Sequence, residues 1–194
     1  SQVVVPSSHL MLKTIAVSDQ VAYPWFAPAG IRRGGITNAT SVGYIDKATG
    51  EFRSVALTDN QRNTLYDIKV NPITFFNGVG LVNYGQRTRA SGTSALDRIN
   101  VARLVIYLRT QLNRLAKPFV FEPNDKITRD EIKGAVESLM LELVGLRALY
   151  DFAVVCDESN NTAARIDRNE LYVDIAIEPV KSIEFIYIPL RLKN

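Results

Sequence analysis

Hydrophobic positions along the chain recur with two periods, and the change of period marks where helix is expected to give way to strand. Between Leu96 and Lys117, Val101, Leu104, Val105, Leu108, Leu112 and Leu115 fall on one arc, the spacing of a core-facing helix. A second stripe, Ile132, Val136, Leu139, Leu143, Leu146 and Tyr150, follows Thr128-Arg-Asp-Glu131, a capping-box pattern, and predicts a helix over about 128–151. Gly134 and Gly145 sit inside it at a cost of about 1 kcal/mol each relative to Ala. A second backbone packing close would explain both.

The last quarter of the chain switches to period two. Leu171, Val173, Ile175 and Ile177 alternate with Tyr172, Asp174, Ala176 and Glu178, the pattern of a strand with one wet face. After Glu178-Pro179 comes a second run. There Ile183, Phe185 and Tyr187 fill one face while Ile186, Ile188, Leu190 and Leu192 fill most of the other. The two runs predict a C-terminal β-hairpin. A terminal strand apolar on both faces needs cover on both sides, and another molecule is the expected source.

Upstream the signals are shorter. Ser7 or Ser8 is expected to cap a helix through His9–Ala16, with Leu10, Met11, Leu12 and Ile15 as its apolar side. Tyr23-Pro-Trp-Phe-Ala-Pro-Ala-Gly30 carries two prolines and reads as an extended, aromatic-anchored loop, followed by a flexible, exposed Arg32-Arg-Gly-Gly35. Residues 42–56 predict a polar hairpin turning near Lys47–Gly50. Thr58-Asp-Asn-Gln61 is a capping box opening a helix to about Tyr66. Val70–Phe76, Val79–Tyr84 and Phe152–Cys156 read as strands, and Arg87–Thr93 and Asp157–Ala164 as loops. The class is α+β (mixed α/β): one domain with a mixed sheet packed against two long helices, about 96–117 and 128–151, and the C-terminal hairpin. Residues 1–20 are expected to connect to a missing upstream part, 21–180 to form the domain, and 181–194 to be an arm for pairing between subunits.

Composition changes this picture little. Of 194 residues 46% are hydrophobic and 22% charged, with a formal net charge of +3, so bulk charge does not indicate a polyanion binder. A lone Cys156 excludes an internal disulfide framework. No apolar run reaches bilayer-spanning length and no charged-then-apolar leader opens the chain, so neither a membrane partner nor a secretion signal is expected. Ser1 at the start, with an orphan Val3-Val4-Val5 after it, suggests a piece of a longer protein.

Catalytic chemistry finds no foothold. His9 is the single histidine and has no carboxylate-rich neighbourhood, and Cys156 lies in an apolar strand pattern. Gly78-Val-Gly80 with Gly85 misses the dinucleotide fingerprint. Asp157-Glu-Ser-Asn-Asn161 briefly resembles a calcium loop but lacks the central Gly, and Arg168 stands where a bidentate Glu belongs. No catalytic residue, metal or cofactor is expected. One charge pattern survives: Arg98, Arg103, Arg109, Arg114 and Lys117 are basic, with no acidic residue between them. This is a solvated helix face or a docking surface for an acidic partner. An alternative reading is a small nucleic-acid-binding module using that helix and Arg32-Arg33, which the low net charge disfavours, so no nucleic acid is expected.

Several motifs then occur in one order. They are Trp25-Phe-Ala-Pro-Ala-Gly30, Thr58-Asp-Asn-Gln-Arg62 with Leu65-Tyr66, Val70-Asn-Pro-Ile73, and Gly78-Val-Gly80 through Tyr84-Gly85-Gln-Arg-Thr88. Ile99-Asn-Val-Ala-Arg-Leu-Val-Ile-Tyr107, Phe121-Glu-Pro-Asn-Asp125, Cys156-Asp157 with Asn161-Thr162, and Glu178-Pro179 before Glu184-Phe-Ile186 follow. Together, over roughly Pro6–Asn194, they resemble the C-terminal, inner, tube-facing domain of tail sheath proteins from contractile-tailed bacteriophages. More distant kin occur in bacteriocins and type VI secretion sheaths. The resemblance implies a structural part without enzymatic activity, with other sheath subunits and the tail tube protein as partners. It implies stacked hexameric rings around the tube that contract to drive it through the host envelope. It also places the protein in the virion, and in the host bacterial cytoplasm during assembly. Ile183, Phe185, Ile186, Tyr187, Ile188, Leu190 and Leu192 would pair with a neighbouring subunit, and Arg98, Arg103, Arg109, Arg114 and Lys117 would face the tube.

Overall fold

Helices and short antiparallel hairpins alternate along the chain, which is the α+β class. The fold is that of a computed structural model, which describes residues 3–191. It divides into two compact units, Ser1–Leu115 and Ala116–Asn194.

In the first unit, α1 (Ser7–Val21) and α2 (Gly30–Arg33) precede a hairpin of β1 (Gly43–Ile45) and β2 (Phe52–Ser54). Then come α3 (Asp59–Asp67), a hairpin of β3 (Ile73–Phe76) and β4 (Gly80–Asn83), and α4 (Ile99–Ala116). α1 is longer than expected and its N-cap is Pro6, so Ser7 and Ser8 lie inside the helix. Its buried residues are Thr14 and Ser18, while Leu12 is exposed. Leu10, Met11 and Ile15 are half-buried, and polar anchoring adds to them: Thr14 Oγ1 lies 3.2 Å from the Gly35 carbonyl, and Asp19 pairs with Arg103 of α4. Trp25 is buried, stacked on Tyr23 at 4.7 Å and edge-on to Tyr107 of α4 at 5.3 Å. The proline loop is thus an aromatic plug on α4.

Arg32 and Arg33 end α2, with Arg32 exposed, and Gly34–Ile36 is ordered beside β4. Gly35 bridges Val82, Ile36 N–H donates to Leu81, and Asn83 N–H donates to the Gly34 carbonyl, adding a third chain beside β4. Asn83, fully buried, donates from its side chain to the Pro28 and Gly85 carbonyls. Asn71 bonds both backbone groups of Arg87, whose guanidinium lies over the Tyr66 ring at 4.1 Å. Arg33 packs over Phe26 and donates to Ala27. The arginines and asparagines of the quoted motifs fasten loops here.

At the start of α3 the capping box is complete, with Thr58 N–H donating to Gln61 Oε1 at 2.9 Å and Gln61 N–H to Thr58 Oγ1 at 3.4 Å. α3 buries no residue fully and is held by the cap together with the half-buried Arg62, Leu65 and Tyr66. Thr58→Ala should cost about 1 kcal/mol, seen as lost hydrogen-exchange protection along Gln61–Asp67.

The second unit contains α5 (Lys126–Gly145), β5 (Leu149–Val155), α6 (Ala163–Ile166) and β6 (Asp174–Pro179). The N-cap of α5 is Asp125, which accepts from Thr128 N–H at 2.9 Å; Thr128 is the third helical residue and not the cap. That bond holds the Asp125 carboxyl below its ordinary range. Its contribution to the helix is therefore present above that range and lost as pH falls through the lowered value. α5 stops at Gly145, short of 151. Arg147 takes the left-handed conformation, and Arg147 and Ala148 N–H donate to the Val144 and Leu143 carbonyls. This Schellman end turns the β-branched and aromatic residues that follow into strand. Tyr150 accordingly belongs to β5. Ile132, Val136, Met140 and Leu143 of α5 are buried with Leu149, Val154 and Cys156, and burial pushes the Cys156 thiol up.

Two details of the expected sheet are corrected. The described residues form three separate two-stranded antiparallel sheets and no mixed sheet. The C-terminal hairpin does not form: β6 pairs with β5, in a register running from Leu149↔Pro179 to Val155↔Asp174. Residues 178–183 contain no Gly or Asn for a tight turn, and Pro179 lacks a donor. β5, adjacent to α5, supplies a half-covered partner instead.

Candidate functional site

The covered residues of β6 are Ile175, Ile177 and Pro179, alternating with exposed Asp174, Ala176 and Glu178. This is the alternation the sequence predicts, answered by Phe152 and Val154 of β5. Each strand uses one edge for the other. Among the described residues no strand pairs with the outer edge of either. A two-stranded sheet is marginal by itself, and an open edge is a template for another chain.

At the far end of β6 a buried polar clasp sets its position. Asn161, 2% exposed, accepts from Tyr172 N–H at 2.7 Å and donates to the Tyr172 carbonyl and to Asp157. Asn160 donates to the Val155 carbonyl and to Asp174, joining both strands. The Arg165 guanidinium lies 3.7 Å from the Tyr172 ring centroid and donates to the Asn160 carbonyl. Ser159 hydrogen bonds to Asp157 hold that carboxyl below its ordinary range. The supposed calcium-like stretch is therefore engaged in loop and strand contacts, and the described residues contain no cluster of potential metal ligands.

Residues 180–191 are paired into no strand. Val180 N–H donates to Ala148. Ile183, Phe185, Ile186, Tyr187, Ile188 and Leu190 then stand exposed, from 60% at Phe185 to 89% at Leu190. Leu192 lies outside the described residues. Six large apolar side chains in one strand-forming run, next to an open two-stranded sheet, are the most conspicuous surface feature of this unit. The two-faced pattern located the tail in sequence. The open β5–β6 edges, which depend on long-range pairing, carried no such signal.

The five basic residues do not act as one face. Arg98 pairs with Asp97 at 3.1 Å, and Arg103 is held by Asp19 and the Pro24 carbonyl. Arg109 and Arg114 of α4 and Lys117, in the short 3-10 turn Lys117–Phe119, are exposed. No described helix is long and apolar enough to cross a membrane.

Comparison with known proteins bears on these surfaces. The chain is 40% identical over 171 residues to a tail sheath protein of Vibrio phage KVP40, covering 88% of this chain and 24% of that one. It is 36% identical to a tail sheath protein of Enterobacteria phage T4, with the same coverage. It spans about a quarter of the length of these curated relatives. Its fold is similar to that in the contracted sheath of an extracellular contractile injection system, with a TM-score of 0.79, 22% identity, and 98% of this chain matched to 52% of that one. The contracted helical sheath of the anti-feeding prophage gives a TM-score of 0.78 at 23% identity, over 96% of this chain and 50% of that one. Residues 91–193 match the phage tail sheath C-terminal domain, and the chain belongs to that family.

Proposed function

We propose that this chain is the connecting domain of a contractile-tail sheath subunit, a structural part of a phage virion. Its subunits self-assemble as stacked hexameric rings around the tail tube, after synthesis in the host cytoplasm, and contract to drive the tube through the host envelope. Residues 181–194 are the arm: Ile183–Leu192 adds as a strand to the sheet of an adjacent subunit. One observation carries this reading, the pairing of an exposed apolar strand-former with a two-stranded sheet whose outer edges are open among the described residues. Strand addition takes affinity from main-chain hydrogen bonds and specificity from alternate side chains, so it tolerates rotation between subunits better than a packed side-chain interface does.

Removing Lys181–Asn194 from the intact subunit is expected to block polymerisation while leaving the β5–β6 register unchanged. Electron microscopy distinguishes the outcomes: tubes of normal length from truncated subunits would overturn the proposal.

A further inference from the structure

Among the described residues two helix faces lack cover, and their chemistries match. On α5, Ile127 (70% exposed), Gly134, Ser138, Leu141 (62% exposed) and Gly145 share the exposed side, at about 100° per residue. Glu131 and Glu142 border it, both exposed and neither in an ion pair among the described residues. A Cβ added to Gly134 or Gly145 would meet nothing within 4 Å. The close backbone that the sequence leads one to expect at these glycines is therefore absent from the described chain.

On α4, Ile106 is 64% exposed and borders a shallow hollow of about 220 Å³ shared with Pro24, Arg103 and Tyr107. Arg109 and Arg114 flank it, exposed and without a carboxylate partner among the described residues. One face offers free carboxylates, an apolar ridge and room for close approach. The other offers free guanidinium groups, an apolar knob and a hollow.

We propose that α5 of one subunit packs across α4 of a neighbouring copy. Ile106 enters the space over Gly134 and Ser138, Leu141 fills the hollow beside Pro24 and Tyr107, and Arg109 and Arg114 meet Glu131 and Glu142. Missing side chains at the crossing bring two helix axes to the near end of the usual 8–10 Å separation, and desolvated arginine–carboxylate pairs give register. This contact rests on the reading of the chain as a self-assembling subunit, but uses none of the arm residues.

The test is a charge exchange in the intact subunit. Arg109→Glu with Arg114→Glu in one preparation, and Glu131→Arg with Glu142→Arg in another, should each lower assembly at least about tenfold, with unchanged thermal midpoints. Mixing the two should restore assembly, because each α4–α5 crossing between the two kinds of subunit pairs opposite charges again. Ile106→Cys with Ser138→Cys should give a ladder of disulfide-linked oligomers in assembled material. Loss of assembly without rescue on mixing, confined to reactions containing inner tubes, would assign the α4 face to the tube and overturn the contact. Tubes without the ladder would also overturn it. If arm removal blocks assembly while the charge exchange has no effect, the function stands and this contact falls.

Discussion

Replacing Asn161 with alanine is expected to lower the stability of the second unit by about 3 kcal/mol, a large share of what a domain of this size possesses. The side chain serves one donor and two acceptors of the backbone, namely Tyr172 N–H, the Tyr172 carbonyl and the Asp157 carbonyl. At 2% exposure, water is a poor substitute for it. Asn161→Asp keeps the bond from Tyr172 N–H but removes the donors and buries a charge, so it should be no better tolerated. Chemical denaturation with hydrogen exchange on β5 and β6 measures both. A loss under about 0.5 kcal/mol for alanine would mean that the clasp is not what fixes β6.

In the first unit, Gly34→Ala should cost about 3 kcal/mol, and its neighbour serves as the control. A Cβ at Gly34 would stand 2.5 Å from the Asn83 carbonyl oxygen and 2.7 Å from Gly30 N, both backbone atoms that cannot yield separately. The strain would fall on the Gly34–Ile36 chain beside β4 and on Asn83, which holds the Pro28 loop. A Cβ at Gly35 meets nothing within 4 Å, so Gly35→Ala should stay within about 0.5 kcal/mol of the parent. Equal effects at both positions would refute the argument. Thermal unfolding followed through Trp25, which is buried in this unit, reads it directly.

These positions show which parts of the fold are legible in sequence. The arc of Val101, Leu104 and Leu108, the Thr58–Gln61 box and the four short hairpin strands of residues 43–83 were readable because each rests on local period or local capping. The end of α5 was not, although α3 and α4 stop within a residue of where local spacing predicts. α3, α5 and α6 all close with a left-handed residue that is not glycine, namely Lys69, Arg147 and Asn169. Without a glycine to mark the stop, apolar spacing carried the α5 reading through to Tyr150. Burial of polar residues was equally hidden. Thr14, Ser18, Asn83 and Asn161 are satisfied or enclosed by groups distant in sequence, and composition alone places such residues outside.

The candidate site was legible by half. The two-faced run after Pro179 identified a segment that its own unit leaves exposed. Its expected partner at home, 171–177, was instead committed to β5, because the choice between two possible partners is decided by the turn residues available and by what α5 already covers. The basic stretch shows the opposite error. Of five like charges in sequence three stay exposed, Arg109 and Arg114 on α4 and Lys117 just beyond it, since Asp97 and Asp19 lie outside the stretch and yet pair with Arg98 and Arg103.

The clasp at Tyr172 has a mechanical consequence. Tension along residues 180–191 enters the unit at Pro179 and runs the length of β6 to the end that Asn160 and Asn161 hold. A pulled strand can creep past its neighbour only in steps of two residues, because a one-residue step would turn Ile175 and Ile177 to solvent. Either step requires Tyr172 to leave its buried partners first. The side-chain amides behind β6 therefore act as a stop knot, so that a pull on residues 180–191 is held at Tyr172 without the strand paying out.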